Sequence, residues 1–430
     1  MRFIVFLFFV ACFLCPGILQ AQGLKVGAAV RVITPDPLLP VSGGIGTPVP
    51  VTEKRGDLFA RAMVIENQGT RVAIVSVDML GWTSVLGDRS RALVRGIPPE
   101  NILIGATHGH SSPDPYGFPD AQGKSYADVK YLEWCAQEIA SAIQEALKNA
   151  RPAALKIAVG EAKGQIAYNY YAPDLYDPRC GVIQAVGTSG RDKGKVIATL
   201  VNYAIHPEIL GPKRGILSPD LCGPLYERIE SRAGGVAVFM NGAQGGMVTA
   251  DNRRADGGEN NTWDECIRIG HLLADEALRI VGDAEEQNNA QLLCASRTVE
   301  FPIDSEIMRF ILRHSPLNLN TAMRGDSIQT RLNYLQIGTA RVLTIPGEAL
   351  PNIGYYLKRK LDTPHAFLFG LTNDAFGYIM TKEDFGSFKR YEYITRTSLG
   401  EMTGEIFVDS ILEWMSELEA VSPVSNGNGK

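Results

Sequence analysis

Three of the chain's six histidines lie in two short motifs, each directly after an apolar run. His108 and His110 belong to the segment THGHSSP, which follows ILIGA, and His206 belongs to NYAIHP, which follows the apolar run that begins VIATLV. Ligands of α/β sheets bind beyond the carboxyl ends of strands, and imidazole is a common zinc ligand. The two motifs together predict a zinc site. For the H-x-H pair alone, a loop of hydrogen-bonded histidines is an equal alternative.

Acidic and aromatic residues extend the candidate site. Asp78 ends the apolar run RVAIVSV, where a carboxylate can bind metal or orient a ligating histidine; it can equally be a helix N-cap or turn residue. Glu348 follows another apolar run in TIPGEAL, and a solvated loop is its alternative. Asp220 is a weaker candidate of the same kind. Tyr378 lies among aromatic residues and by itself reads as a core residue.

In chain order, four segments resemble the motifs of the neutral ceramidase family, the neutral/alkaline non-lysosomal ceramidases. They are ATHGHSSPD, NYAIHPEIL, TIPGEAL, and GYIMTKEDF with RYE; DLFARAMVI and VSVDML match as well. The resemblance covers roughly residues 24–420. It implies one zinc ion per chain, with the ligands His108, His206, Glu348 and Tyr378. It also implies that His110 lies beside the metal and moves a proton or polarises the carbonyl.

Two departures from the family bear on the substrate more than on the metal. The family's ceramidases carry a serine in a stretch like GDxSPN, which acts as nucleophile or carbonyl contact. Ungapped alignment of the corresponding stretch, NGAQGGMVTAD, puts Val248 at the serine position and Thr249 beside it. The family's extra C-terminal β-domain is also not expected in a chain that ends at residue 430.

The predicted chemistry is attack of zinc-activated water on an amide or ester carbonyl, because zinc lowers the pKa of bound water to about 7. The residues predicted to be catalytic are His110 as proton carrier, Thr249 and Asp78. Direct attack by Thr249 is the competing mechanism. The backbone of Gly245 and Gly246 is a candidate oxyanion site or simply a tight strand-to-helix turn.

Strand-like and helical patterns alternate along the chain without a linker. Strands are expected at 24–33, 58–66, 71–77, 102–106, 155–160, 196–203 and 236–241, with a hairpin at 331–345. Helices are expected at 130–149, 263–281 and 404–418. We therefore expect an α/β fold, with mixed α+β as the alternative. It forms one large domain with a central sheet flanked by helices and the metal site at strand ends.

Composition limits the classes of function. The 430 residues are 45% hydrophobic and 21% charged, with a net charge of −5, which is typical of a globular protein and lacks the basic excess of a nucleic-acid binder. Residues 1–21 are expected to be a signal peptide cleaved near Ala21, which predicts a secreted or periplasmic protein. A lipoprotein anchored through Cys12 or Cys15 is a weaker alternative, because neither lipobox is good. The hydrolase domain is predicted at 22–420 and a disordered tail at 421–430.

The sequence thus predicts an exported, zinc-dependent hydrolase that cleaves an N-acyl amide bond in a small-molecule or lipid substrate. An esterase or deacylase acting on a polar substrate such as a sugar amide, and a binding protein that has lost turnover, are the alternatives. Candidate walls for an acyl chain are Tyr116, Phe118, Tyr170 and Tyr171. Peripheral membrane contact and the oligomeric state stay open. The cysteines at 135, 180, 222, 266 and 294 do not form a disulfide framework.

Overall fold

The computed structural model describes residues 23–120 and 122–421. The predicted signal peptide and almost all of the predicted tail lie outside these residues and stay predictions, as does the division into domains. The strands are β1 (Lys25–Val32), β2 (Glu53–Lys54), β3 (Phe59–Asn67), β4 (Thr70–Val77), β5 (Ile102–Ala106), β6 (Arg151–Glu161), β7 (Ala167–Asn169), β8 (Arg179–Gly187), β9 (Val196–Tyr203), β10 (Ile216–Leu217), β11 (Val236–Asn241), β12 (Val248–Ala250), β13 (Glu286–Gln287), β14 (Leu292–Pro302), β15 (Met323–Arg324), β16 (Ser327–Ile337), β17 (Ala340–Thr344), β18 (Glu348–Ala349), β19 (Ala366–Phe369) and β20 (Tyr378–Ile379). The helices are α1 (Ser84–Leu93), α2 (Val129–Lys148), α3 (Cys222–Ala233), α4 (Trp263–Gly282), α5 (Glu306–His314), α6 (Pro351–Lys360), α7 (Glu392–Arg396) and α8 (Thr403–Val421).

The central sheet has nine strands and confirms the predicted α/β class. Its order is β11-β9-β8-β6-β1-β3-β4-β5, with β13 paired to β6. β4 with β5 and β9 with β11 run parallel, whereas the other neighbours along this path run antiparallel. The predicted strands at 58–66 and 71–77 are confirmed as β3 and β4 and form a hairpin: Gln68 and Gly69, at φ 49° and 84°, take the left-handed conformations that such a turn needs.

A second sheet, which the sequence did not predict as such, packs on the first. It has five strands, in the order β14-β16-β17-β19 with β15 on β16. Alternate residues of β3 divide between the layers: Ala62 and Val64 belong to the core that includes α2, whereas Met63 and Ile65 pack in a core with Phe367 and other residues of the second sheet. β3 is therefore buried on both faces, which explains its nearly continuous apolar sequence.

Helices cover the outer faces of the two sheets. α2 packs on β1 and β3, while α3 and α4 pack together over β6, β8 and β11. α8 packs on β14, and α6 contacts β19 and α8. The order of layers is thus helices, nine-stranded sheet, five-stranded sheet, helices, with the main apolar cores between them.

Two buried asparagines fix the strand ends where the predicted motifs begin. Asn202, at the end of β9, donates from Nδ2 to the carbonyl oxygens of Met240 (2.9 Å) and Leu368 (2.8 Å), so it connects both sheets. Asn241, at the end of β11, donates to the Thr107 and Ile205 carbonyl oxygens at 2.9 and 2.7 Å. The loops that carry the histidines therefore leave the sheet from fixed positions.

Two smaller findings concern the cysteines and the membrane. The five cysteines at 135, 180, 222, 266 and 294 are all free in the structure. None of the helices within 23–120 and 122–421 is long and apolar enough to cross a bilayer.

Candidate metal centre

His108 follows β5 and is held in a strained backbone conformation. Its φ is +71°, in the left-handed region that histidine tolerates better than bulky residues. Its backbone N–H donates to the Met79 carbonyl at 3.0 Å, and its ring Nδ1 lies 2.5 Å from the Leu80 carbonyl oxygen. Since Nδ1 faces an acceptor, Nε2 is the nitrogen left for a ligand.

His206 follows β9 and is oriented in the same way. Its backbone N–H donates to the Val248 carbonyl oxygen, and its ring Nδ1 also lies 2.8 Å from that oxygen. The side chain is fully buried. The alignment predicts that Val248 takes the place of the ceramidases' serine; its side chain carries no nucleophile, while its carbonyl group positions this histidine.

His110 brings the two histidine motifs together. Its backbone N–H donates to the Pro207 carbonyl at 3.1 Å, and its Nδ1 lies 3.6 Å from a carboxylate oxygen of Glu208. Its Nε2 is buried and has no hydrogen-bond partner within the described chain. Burial, opposed by the nearby Glu208 charge, lowers the pKa of His110 to about 3. The ring is therefore neutral near pH 7, with an unpaired nitrogen inside the site.

Glu348 and Tyr378 are brought side by side by the parallel pairing of β18 with β20. Glu348 Oε2 lies 3.2 Å from His206 Nε2 and 3.4 Å from His108 Nε2. Burial opposes ionisation of Glu348, but the two imidazoles outweigh it and hold the pKa of the carboxyl well below its usual range. Burial, the Glu348 charge and a hydrogen bond to Glu348 raise the pKa of the Tyr378 hydroxyl well above its usual value.

These distances fit a metal ion. Two ligand atoms on one tetrahedral zinc, each about 2.0–2.1 Å from it, lie about 3.3 Å apart. The separations of Glu348 Oε2 from the two Nε2 atoms, 3.2 and 3.4 Å, match this value. The nearest ligand nitrogens of His108, His110 and His206 all lie within 4.8 Å of one another. The buried, unpaired Nε2 of His110 is an independent sign that the cluster awaits a partner.

The structure thus brings together His108, His110, His206, Glu348 and Tyr378, as predicted. Their assignment as ligands, with His110 beside the metal, stays a prediction, since the histidine cluster alone gives His110 the same geometric standing as the other two.

Asp78 does not contact the histidine rings in the described structure. Its carboxylate accepts hydrogen bonds from the Phe59 N–H at 2.9 Å and the Tyr226 hydroxyl at 3.0 Å. Burial raises the pKa of Asp78 to about 7, against the nearby Arg61 charge. Its position favours a role in fixing the end of β4, and the predicted catalytic role stays untested.

Thr249 lies at the rim of the site. A backbone bridge places it beside His206, and its hydroxyl hydrogen-bonds the Glu208 carboxylate. Gly245 does not serve the predicted oxyanion role, because its N–H already donates to the Ala349 carbonyl at 2.9 Å. A Cβ on Gly245 would meet the Glu348 carbonyl oxygen at 2.2 Å, so glycine is needed for close packing against β18.

Sequence reasoning missed Glu208, which contacts both His110 and Thr249. The available signal was its place in HPE, two residues after His206. It also missed Asn241, whose only signal was its position at the end of an apolar strand.

An apolar cavity adjoins the centre. His108, His110, Glu348 and Tyr378 form part of its wall. The rest is largely apolar and includes Leu80, Ile311, Leu312, Leu319, Ile328 and Phe376. Of the aromatic residues predicted to line an acyl site, Tyr116 and Phe118 line this cavity and stack with ring centroids 4.7 Å apart, whereas Tyr170 lines another cavity, together with Glu208 and Thr249. Tyr171 packs against Tyr391.

Comparison with known proteins identifies the fold. No protein-family model matches the sequence, and no curated protein matches it. A neutral ceramidase from Pseudomonas aeruginosa superimposes with a TM-score of 0.75 at 18% identity, covering 94% of this chain and 75% of that one. A ceramidase complexed with C2 gives a TM-score of 0.73 at 18% identity, covering 94% of this chain and 76% of that one. The chain has the neutral ceramidase fold. The resemblance found in the motifs is thereby confirmed at the level of the fold.

Proposed function

We propose that this protein is a zinc-dependent hydrolase that cleaves the amide bond of an N-acyl substrate. The observation that carries the proposal is that three buried or nearly buried histidines converge on Glu348. The distances from Glu348 Oε2 to the Nε2 atoms of His108 and His206 fit two ligands of one tetrahedral ion. The ceramidase fold supports an amide as the scissile bond.

His108, His206, Glu348 and Tyr378 would hold the ion. When bound, zinc supplies Lewis acidity toward the scissile carbonyl and an activated water. The carbonyls of Leu80 and Val248 keep the Nε2 atoms of two histidines turned inward. The Tyr378 hydroxyl donates to Met247 Sδ at 3.7 Å and lies near the Glu348 carboxylate, whose charge helps to raise the pKa of the hydroxyl.

His110 would move the protons. Its Nε2 is unpaired and its ring is neutral, so it can accept a proton as the carbonyl is attacked and return it to the leaving amine. Glu208, on the Nδ1 side, would keep the ring in the tautomer that leaves Nε2 without a proton. Proton transfer at a positioned side chain is worth about 10²–10⁴-fold in rate.

The apolar cavity would receive the acyl chain. Its wall continues directly from His108 and His110 to the apolar residues of α5, such as Ile311 and Leu312. This arrangement supports a lipid amide over a fully polar substrate such as a sugar amide. We further propose that the protein acts outside the cytoplasm, on the basis of the charged and apolar pattern of residues 1–21.

The test combines metal analysis with turnover. Purified protein should contain about one zinc per chain, and His206→Ala should lose most of it, because zinc sites need three or more protein ligands. The same two proteins are assayed on N-dodecanoyl and N-acetyl fluorogenic amides. His271→Ala, on α4, is the matched control and should match wild type.

Wild type and His271→Ala should hydrolyse the dodecanoyl amide, whereas His206→Ala should not. Unchanged zinc in His206→Ala would refute the metal centre. Full zinc occupancy with no turnover on any acyl amide would favour a binding protein that has lost catalysis.

A further inference from the structure

A second cavity, here called the arginine cleft, adjoins the apolar cavity. It is lined by four arginines, Arg89, Arg91, Arg324 and Arg331, and its carboxylate-bearing residue is Asp88. Ser84, Val85 and Ala322 line both cavities, so the two spaces adjoin each other at these side chains. The cleft has a volume of about 580 Å³, enough for an oxyanion and its bound waters.

The positive charge of the cleft is only partly neutralised. Asp88 is committed to Arg91, at 2.8 Å from Nη1, and Arg89 has a loose contact with Glu133 at 3.7 Å. Within the described chain, Arg324 and Arg331 form no ion pair. Such a concentration of cations is unusual in a chain whose net charge is −5.

Arg91 has a structural role rather than a free binding edge. Its side chain is buried and donates to the Ile102 carbonyl, the Asp88 carboxylate and the Asn373 amide oxygen. Burial lowers the pKa of Arg91 to about 10, and the nearby Arg331 charge contributes to the lowering. Two guanidinium groups therefore lie close enough to repel each other, a cost that a bound anion would remove.

The other three arginines are anchored and leave donors free. Arg331 Nη1 donates to the Pro99 carbonyl at 3.1 Å, and Arg89 Nη2 donates to the Leu317 carbonyl at 2.8 Å. Arg324 Nη1 donates to the Met323 carbonyl at 2.8 Å. Arg89 Nη1 is buried without a hydrogen-bond partner. Because each guanidinium is already fixed at one edge, binding an anion through the remaining N–H groups costs little side-chain entropy.

The neutral part of the wall suits the same ligand. Asn318, Thr321 and Gln329 offer amide and hydroxyl groups. Two further carboxylates lie near the wall: Glu300 accepts a hydrogen bond from Gln329 Nε2 at 3.1 Å, and Asp374, whose charge acts on Arg91, accepts one from the Ser84 N–H at 3.1 Å. Guanidinium groups bind phosphate, sulfonate and carboxylate oxygens in pairs, which favours an oxyanion over a halide.

We propose that the arginine cleft binds the oxyanion group of a single-chain amphiphile whose alkyl part enters the adjoining apolar cavity past Ser84, Val85 and Ala322. Val85 and Ala322 line both cavities and therefore connect the two parts of the site. An anion held by Arg324 and Arg331 would place its alkyl substituent next to these two side chains, where the apolar cavity begins. Burial of the chain adds to the affinity in proportion to its apolar area.

Binding is measured by calorimetry with sulfate, dodecane-1-sulfonate below its micelle concentration and the neutral dodecyl maltoside. Sulfate and sulfonate are weak zinc ligands, so the metal centre contributes little. Wild type should bind dodecane-1-sulfonate at least about tenfold more tightly than sulfate, because the alkyl chain is buried as well. It should bind the maltoside more weakly than the sulfonate. The measurement needs no turnover and is independent of the proposed hydrolase activity.

The double variant Arg324→Gln/Arg331→Gln should weaken both anions by about tenfold or more, because it removes charge-assisted hydrogen bonds. Arg191→Gln, an exposed arginine on a turn between β8 and β9, is the matched control and should bind like wild type. Ala322→Phe should weaken dodecane-1-sulfonate while sulfate binding stays the same.

Three results of the binding measurements would overturn the proposal. They are no binding of either anion by wild type, unchanged affinity in the double variant, and equal affinity of sulfate and dodecane-1-sulfonate. A large fall in the melting temperature of the double variant would instead mark the arginines as structural and would also overturn it. If they bind an anion, removing two neighbouring like charges should leave the melting temperature of the ligand-free protein unchanged or raised.

Discussion

Glu208 contacts the two residues that compete for the role of catalytic partner, His110 and Thr249. The hydroxyl of Thr249 hydrogen-bonds the Glu208 carboxylate, a pairing that in other settings activates a nucleophile. Burial of Glu208 is outweighed here by the facing histidines, chiefly His110, which keep the pKa of its carboxyl below the usual value. Because this carboxylate lies 3.6 Å from His110 Nδ1, the geometry favours Glu208 as a group that orients His110.

The first prediction separates the two mechanisms. Thr249→Ala should keep measurable activity on an N-acyl amide, whereas His110→Ala should lose about 10²–10⁴-fold in kcat, because it removes the proton carrier. Zinc content is measured in both variants, since a loss of zinc in His110→Ala would show that His110 is a ligand instead. Intact-mass analysis of a quenched wild-type reaction completes the test. An acyl adduct on Thr249, with no turnover in Thr249→Ala, would contradict the water mechanism.

The site could be predicted in part because its histidines follow directly on buried strands. That position fixes where a side chain starts but not which way it points. Asp78 and His108 both follow strand ends, yet the Asp78 carboxylate is occupied by Phe59 and Tyr226 while His108 faces Glu348. Glu208 was overlooked for the same reason, since only the folded loop turns it toward His110.

Long helices were predictable at the scale of the element. α2 and α4 match the predicted ranges to within one residue at each end, because their apolar spacing persists for 20 residues and Asp128 and Thr262 cap them. β14 was not predicted, because its residues are mostly half-buried or exposed and include charged side chains. The second sheet therefore depends on pairing between distant segments, which periodicity does not encode.

The second prediction concerns the connection between the sheets. Asn202→Leu should lower the free energy of unfolding by about 2–4 kcal/mol, because it leaves buried backbone oxygens of Met240 and Leu368 without their donors. Thermal unfolding measures the loss. Asn149→Leu, at the partly exposed end of α2, is the control and should change stability far less. Equal losses in the two variants would refute a special role for Asn202.

The third prediction concerns α6, which begins just after the strand that carries Glu348. Lys358 on α6 lies 2.8 Å from Asp177, and both side chains are about nine-tenths buried. Burial opposes ionisation of Asp177, but Lys358 and Arg179 outweigh it and lower the pKa of the carboxyl. Asp177→Asn should cost about 3 kcal/mol at pH 7, because it leaves a buried ammonium group uncompensated.

The sign of the pH dependence follows from the lowered pKa of Asp177. Its stabilising contribution is fully present above the unfolded value of about 3.9 and is lost as pH falls through the folded value. The difference in melting temperature between wild type and Asp177→Asn should therefore shrink below about pH 4. Asp256→Asn, which removes an exposed carboxylate beside Arg254, should have little effect at pH 7. A difference that grows on acidification would contradict the assignment.

At the scale of the whole molecule, the centre lies where separate parts of the chain meet. His108 and His206 follow strands of the nine-stranded sheet, whereas Glu348 and Tyr378 belong to the short pair β18 and β20, which come directly after β17 and β19 of the second sheet along the chain. An ion bound there would cross-link these parts, and its binding free energy would add to the stability of the folded chain.

The fourth prediction is that a chelator lowers the melting temperature of the zinc-loaded protein by about 5 °C or more and that added zinc restores it, because the ion binds the folded state and not the unfolded chain. His206→Ala should melt lower than wild type and should not respond to the chelator, since its site no longer holds the ion. His271→Ala, whose side chain lies on α4 away from the histidine cluster, should respond like wild type. Equal responses in His206→Ala and wild type would place the stabilising ion elsewhere in the molecule. If His206→Ala no longer responds to the chelator, the stabilising ion binds at this centre, where four segments of the chain meet.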